Sequence, residues 1–188
     1  YYGVQSVANQ LDVLTPTAYR DVLNAIIADG GGNAGEEVTE ITGDGTDWQA
    51  ELFRNAPIQN HNLSFSGGAN NTNYFVSLNY FDQDGVVKYS GMKRYNARVN
   101  LTNKIDERYA FGINLNTSYI KDDFVSNGVG LNEQGGALYA AINYDPTISI
   151  FEDNGNRYRR SPFITIDNPI ALAVGEQAVA ETFRTCVT

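Results

Sequence analysis

Between Asn73 and Tyr119 the chain alternates apolar and polar side chains over three consecutive segments. In the first, Tyr74, Val76, Leu78 and Tyr80 alternate with Asn73, Phe75, Ser77, Asn79 and Phe81. In the second, Tyr95, Ala97, Val99 and Leu101 alternate with Arg94, Asn96, Arg98, Asn100 and Thr102. The third sets Tyr109, Phe111, Ile113, Leu115 and Tyr119 against Ala110, Gly112, Asn114, Asn116 and Ser118. Successive strand side chains point to opposite faces, so each segment predicts a strand with one apolar and one polar face. A soluble antiparallel sheet alternates in the same way, but its outer face usually carries Lys and Glu. Here the polar face is rich in Asn, Ser and Arg, and aromatics end the apolar face. That pattern fits an outward apolar band around a polar lumen.

Turn chemistry sets the order of elements. Gly67 to Asn71 links a strand ending in Asn62–Ser66 to Asn73 onward, and Asn103 to Glu107 makes a second tight link. The connection Asp82–Gly91 is longer and lies at the opposite end, as do two long loops, Ala8 to Pro57 and Asp122 to Ala180. Short turns at one end and long loops at the other are expected of a membrane barrel, with the long loops extracellular. This puts Tyr74 and Tyr109 near the periplasmic rim and Tyr80, Tyr95 and Tyr119 near the outer one.

The long loops carry helices of their own. Thr15 suits an N-cap and Pro16 the first helical position; Tyr19, Val22, Leu23, Ile26 and Ile27 follow one helical face, and Gly30 supplies a left-handed stop. A second short helix is expected from Thr46 or Asp47 through Trp48, Leu52 and Phe53, ending before Pro57. Leu138, Ala141 and Ile142 mark a third before Asp145–Pro146. The organisation expected is therefore a strand over 1–8, a helix-bearing loop over 9–57, four meander strands over 58–121, a long loop over 122–180 and the start of a strand over 181–188. The fold class is all-β: an antiparallel transmembrane β-barrel segment of about five to six strands from a larger barrel, with long helix-containing extracellular loops.

Composition agrees. The chain has no run of apolar residues long enough for a transmembrane helix, but barrel strands need only about 10 residues each, so a mean hydropathy of −0.34 does not exclude a membrane. Twelve Tyr, nine Phe, one Trp and eighteen Gly suit aromatic girdles and tight turns. A formal net charge of −9 opposes nucleic-acid binding. The run Arg157-Tyr158-Arg159-Arg160 departs from that trend and reads as a solvated loop, or a contact for an anionic head group or ligand. The single cysteine, Cys186, permits no internal disulfide.

Candidate chemistry is sparse. His61, the sole histidine, has no Cys or second His to share a metal and reads as a polar residue at the start of a strand. Asp44–Asp47, Asp82–Gly85 and Asp153–Asn156 resemble calcium loops superficially, but none reaches the bidentate Glu of an EF-hand, and turn or cap roles are expected. Gly128-Val129-Gly130 with Gly135-Gly136 lacks the third glycine of a dinucleotide loop. Asp122 and Asp123 are adjacent, so on an extended chain they face opposite ways and do not form a hydrolytic pair. No catalytic, metal or cofactor site is expected, and no enzyme. The candidate lumen-facing lining is Arg94, Asn96, Arg98, Asn100, Asn114 and Asn116, available to hydrogen-bond a plug or a passing solute, or simply to hydrate the wall.

The stretch TDWQAELFRNAPIQNHNLSFSGGANNTNYFVSLNYFDQDGVVKYSGMKRYNARVNL, Thr46 to Leu101, resembles the barrel of the SusC/RagA class of TonB-linked outer-membrane transporters of Bacteroidetes. The opening YYGVQSVANQLDVL and the later YDPTISIFEDNGNRY and NPIAL are similar too, while Glu181 to Thr188 fit less well. The resemblance implies import of oligosaccharides or peptides across the outer membrane of a Gram-negative cell, with a SusD-like lipoprotein as partner and TonB engaged through a box that, with a plug, precedes the barrel. The chain opens directly in strand-like Tyr1–Val7, without a signal h-region, and ends in an extended stretch, so a piece of a longer chain is expected. The alternative is a soluble, surface-exposed β-domain whose exposed aromatics stack on sugar rings.

Overall fold

The computed structural model describes residues 1–31, 37–125, 136–175 and 177–188. The glycine run at 128–130 and Gly135 lie outside the described residues. Six strands form one antiparallel sheet in sequence order: β1 (Tyr2–Gln5), β2 (Ala56–Ala69), β3 (Thr72–Asp84), β4 (Gly91–Lys104), β5 (Ala110–Val125) and β6 (Gln177–Val187). The strands are longer than the alternation suggests. Gly67, Gly68 and Ala69 belong to β2 and not to the turn, which is reduced to Asn70 and Asn71 at φ 48° and 68°. Two successive left-handed residues match the twist of a tight hairpin, and Asn tolerates that conformation. Gly67 stays in the ladder because its partner Tyr74 lies over it: a Cβ there would stand 2.5 Å from the Tyr74 hydroxyl. A cross-strand aromatic shields the bare backbone of the glycine.

The registers align outward side chains into rows that cross the sheet. Leu63, Leu78, Ala97 and Thr117 form one row, and Phe65, Val76, Val99, Leu115 and Val187 another. Above them, toward the long loops, runs His61–Tyr80–Tyr95–Tyr119–Phe183. Its ring centroids are 6.2 Å apart for His61–Tyr80, 5.0 Å for Tyr80–Tyr95 and 6.1 Å for Tyr95–Tyr119. The next row outward is Gln59–Asp82–Lys93–Lys121–Glu181, so the surface turns from apolar through aromatic to charged within two rows. Among the described residues nothing covers this face: Phe65 is 56% exposed, Leu78 48% and Phe183 71%. His61 is thus a member of the aromatic row in mid-strand, where its local sequence suggested a strand start.

The buried core lies off the sheet, among the loops at its β3–β4 hairpin end. Helix α1 (Pro16–Ile26) is capped by the Thr15 hydroxyl, which accepts from the Ala18 amide, and stops through a π-type turn with Gly30 at φ 85°. Helix α2 (Trp48–Leu52) is capped by Asp47, and α3 spans Ala137–Asn143. A further helix, α4 (Pro169–Gly175), was not signalled by any periodic pattern: its cap is the Asn168 carboxamide, which accepts from Ile170 N and Ala171 N at 3.0 and 3.3 Å. Trp48, Leu52, Val125, Ala137, Ala141, Tyr144, Ile170 and Ala173 pack together as the core of this loop body.

Polar groups inside the loop body are satisfied, as burial requires. The Trp48 indole donates to the Asp145 carbonyl at 2.8 Å, and its ring meets Tyr144 edge-on at 5.0 Å. The Asp145 carboxylate, fully buried, accepts from Thr147 N, Thr147 Oγ1 and Ser161 Oγ at 2.9, 2.6 and 2.8 Å. Burial, with a smaller contribution from Asp145, lifts the Tyr19 hydroxyl above its ordinary range. Tyr144 is raised by burial foremost, against a lowering by the Ser161 amide. At Gly45, φ is 79° and a Cβ would meet Pro16 Cγ at 2.4 Å and the Pro146 carbonyl at 2.5 Å, so only glycine closes this crossing.

Replacing Asp145 by Ala strands three buried donors and is expected to destabilise the loop body by about 2–4 kcal/mol. Asp153→Ala, whose side chain is 94% exposed, is expected to change little. Limited proteolysis of the folded barrel checks this; equal loop cleavage in both variants would refute the Asp145 assignment.

Candidate functional site

The six candidate lining residues share the face opposite the aromatic row. Arg94, Asn96, Arg98 and Asn100 lie on β4, Asn114 and Asn116 on β5, and the register sets Arg98 beside Asn116 and Asn100 beside Asn114. The structure extends this surface beyond them. Asn79 Nδ2 donates to Asn60 Oδ1 at 2.6 Å, and Asn96 Nδ2 to Asn79 Oδ1 at 3.4 Å, giving a cross-strand amide chain over three strands. On β6, Arg184 faces the same way, in one row with Asn96 and Ser118. The alternation Phe183, Arg184, Thr185, Cys186, Val187 carried that signal in the sequence, but pairing with β5 was needed to set its face.

The arginines of this face differ in surroundings. Arg94 lies over the Phe81 ring, 5.1 Å from its centroid, and its Nε is buried without a hydrogen-bond partner among the described residues. The Asn100 Oδ1 atom is buried and unpartnered in the same sense. Arg98, Asn100, Asn114 and Asn116, with Cys186 and Thr188, line a shallow depression of about 250 Å³.

Above the sheet, the loop rim is built from main-chain pairing. Arg54 reaches across to the β3–β4 hairpin, donating from Nε to the Gly85 carbonyl at 3.0 Å and from Nη2 to the Ser90 carbonyl at 2.9 Å. A small hairpin at 150–159 pairs Phe151 with Tyr158, whose rings stack at 5.0 Å. The basic run here is largely neutralised: Arg159 pairs with Asp153 and Arg160 with Asp167. Two of the calcium-like segments supply a cap and a turn, Asp47 capping α2 and Asn154 Oδ1 accepting from Asn156 N at 3.0 Å, whereas Asp82, Gln83 and Asp84 of the third are the end of strand β3. Asp122 and Asp123 occupy successive positions of β5 and so face opposite ways.

An open antiparallel sheet with an exposed apolar face, an aromatic row at its outer edge and an amide-rich opposite face is a segment of a membrane β-barrel wall. Sequence comparison agrees in detail. The TonB-dependent receptor P3 of Formosa agariphila is 32% identical over 190 residues, 97% of this chain and 18% of that protein. The TonB-dependent receptor SusC of Bacteroides thetaiotaomicron is 34% identical over 143 residues, 76% of this chain and 13% of its own. No family profile matches. Among solved structures, the RagAB peptide importer in its closed-closed state superposes with a TM-score of 0.67 at 21% identity, over 86% of this chain and 22% of that one, which establishes the shared fold. The chain is a barrel segment of a SusC/RagA-type TonB-dependent receptor, and it spans less than a fifth of the length of these curated relatives.

In the full-length receptor, Val99→Arg places charge on the apolar face and is expected to cost about 2–4 kcal/mol of folding into membrane, while Asn100→Arg, one residue along, costs far less. Heat-modifiable migration on gels reads the folded fraction; an equal or larger loss for Asn100→Arg would reverse the two faces.

Proposed function

We propose that this chain forms part of the wall and extracellular rim of an outer-membrane importer of nutrients, oligosaccharides or peptides. The apolar face meets lipid and the Asn-rich face, including Arg94, Asn96, Arg98, Asn100, Asn114 and Asn116, meets the lumen. The observation that carries this reading is the sequence of rows from apolar through aromatic to charged, which supports a lipid–water boundary at His61–Phe183. The loop body on that side is then extracellular, and the Asn70–Asn71 and 105–109 turns are periplasmic. The likeness to the TonB-dependent receptor SusC supports a SusD-like lipoprotein over the loop body and engagement of TonB as partners. The reading of a soluble carbohydrate-binding domain is less favoured, because the apolar face is exposed and uncovered among the described residues.

Orientation is open to test. In a Cys186→Ser background of the full-length receptor, a cysteine at Asp153 is expected to react with a membrane-impermeant maleimide on intact cells, and one at Glu107, in the exposed 105–109 turn, is not. Labelling confined to Glu107→Cys would invert the orientation.

A further inference from the structure

Below its uppermost row, the one that holds Asp122, the Asn-rich face carries charge of one sign. The chain as a whole is acidic, with a formal net charge of −9. Yet the four inward rows running from the one containing Asn60 and Arg94 to the one containing Ser66 and Asn100 hold Arg94, Arg98 and Arg184 and no Asp or Glu. The nearest carboxylates stand above these rows: Asp82 and Glu181 face outward, Asp82 accepting from the Tyr80 hydroxyl at 2.6 Å, and Asp122, opposite Met92, is on the inward face and in no ion pair among the described residues. Among the described residues none of the three arginines enters an ion pair.

Neutral amides alone would hydrate such a wall. Three guanidinium groups that form no ion pair among the described residues repel one another, and low-dielectric walls concentrate their field, so the arrangement raises the local concentration of anions. Arg94 is oriented by the Phe81 ring instead of a carboxylate, which leaves its charge available. Arg94 and Arg98 are separated by roughly 13 Å along β4, and Arg184 stands two strands away, roughly 10 Å across, at a height between them. A single small anion cannot bridge these spacings, but charges repeated along an extended chain can. Asn96, Asn116 and Ser118 between them supply neutral donors and acceptors for the uncharged parts of such a chain.

We infer that the solute passing this wall is polyanionic, an oligomer bearing repeated carboxylates that Arg94, Arg98 and Arg184 bind in turn. The inference rests on the importer reading and deepens it by naming the charge class of the solute. Its test uses the full-length receptor purified in detergent, titrated calorimetrically with oligogalacturonate, oligoglutamate and a neutral malto-oligosaccharide of matched length. At low salt at least one acidic probe is expected to bind about tenfold or more tightly than the neutral one, with the preference falling as NaCl is added. The R94Q/R98Q/R184Q variant should lose that preference and the corresponding triple Lys variant should keep part of it, both retaining heat-modifiable migration. The two acidic probes separate a uronate source of carboxylate from a peptide one. The inference is overturned if neither acidic probe exceeds the neutral one, or if the triple Gln variant keeps the preference. It is also overturned if that variant leaves probe binding intact but opens the lumen to protease, which would assign the arginines to a protein domain seated inside. A receptor that labels at Asp153→Cys as expected but shows no acidic preference removes the charge inference alone, whereas failed labelling removes the import reading.

Discussion

Backbone hydrogen bonding in a medium without water is the constraint on which the rest of this structure depends. An unpaired peptide group in hydrocarbon costs several kcal/mol, so a wall of strands is stable in lipid only if every strand is paired along its buried length. The ladders β2–β3, β3–β4 and β4–β5 meet this without interruption, from Ile58↔Gln83 through Lys104↔Ala110. The short β1 and the free side of β6 are the edges of the sheet among the described residues. Unbroken pairing also fixes which way each side chain points. A bulge in β4 would move its lower half to the other face, and none occurs.

The two halves of the molecule solve different burial problems. In the sheet, apolar side chains stay exposed, as on the outer face of a barrel wall, and stability comes from backbone pairing and cross-strand rows such as Tyr80–Tyr95–Tyr119. In the loop body, the solvent is water, so a conventional core forms around Trp48, Leu52 and Ala137 with its polar groups paired internally. Asp145 and Asn168 join segments that no regular element connects. Asn168 donates to the Ile150 and Arg159 carbonyls at 3.1 Å each while capping α4. The loop body is therefore a packed unit attached to the wall by Arg54 and the Phe53↔Val87 bridge.

Local chemistry in the sequence determined a good deal. Alternation over Asn73–Tyr119 assigned the two faces, because the side-chain period of a strand is set by its own backbone. Thr15, Asp47, Gly30 and the Asn70–Asn71 pair marked helix starts, a helix stop and a tight turn, because caps and left-handed positions depend on residues within a turn of one another. What only the tertiary structure decided involves partners far apart in the chain. Register brought His61 and Phe183 into the aromatic row and Arg184 onto the lining face, although the alternation of β6 alone left its orientation open. Trp48 and Asp145 are 97 residues apart, so neither residue's neighbours revealed the bond between them. Helix α4 carries too few residues for a periodic pattern and exists because Asn168 caps it and Ile170 and Ala173 are buried against α2 and α3.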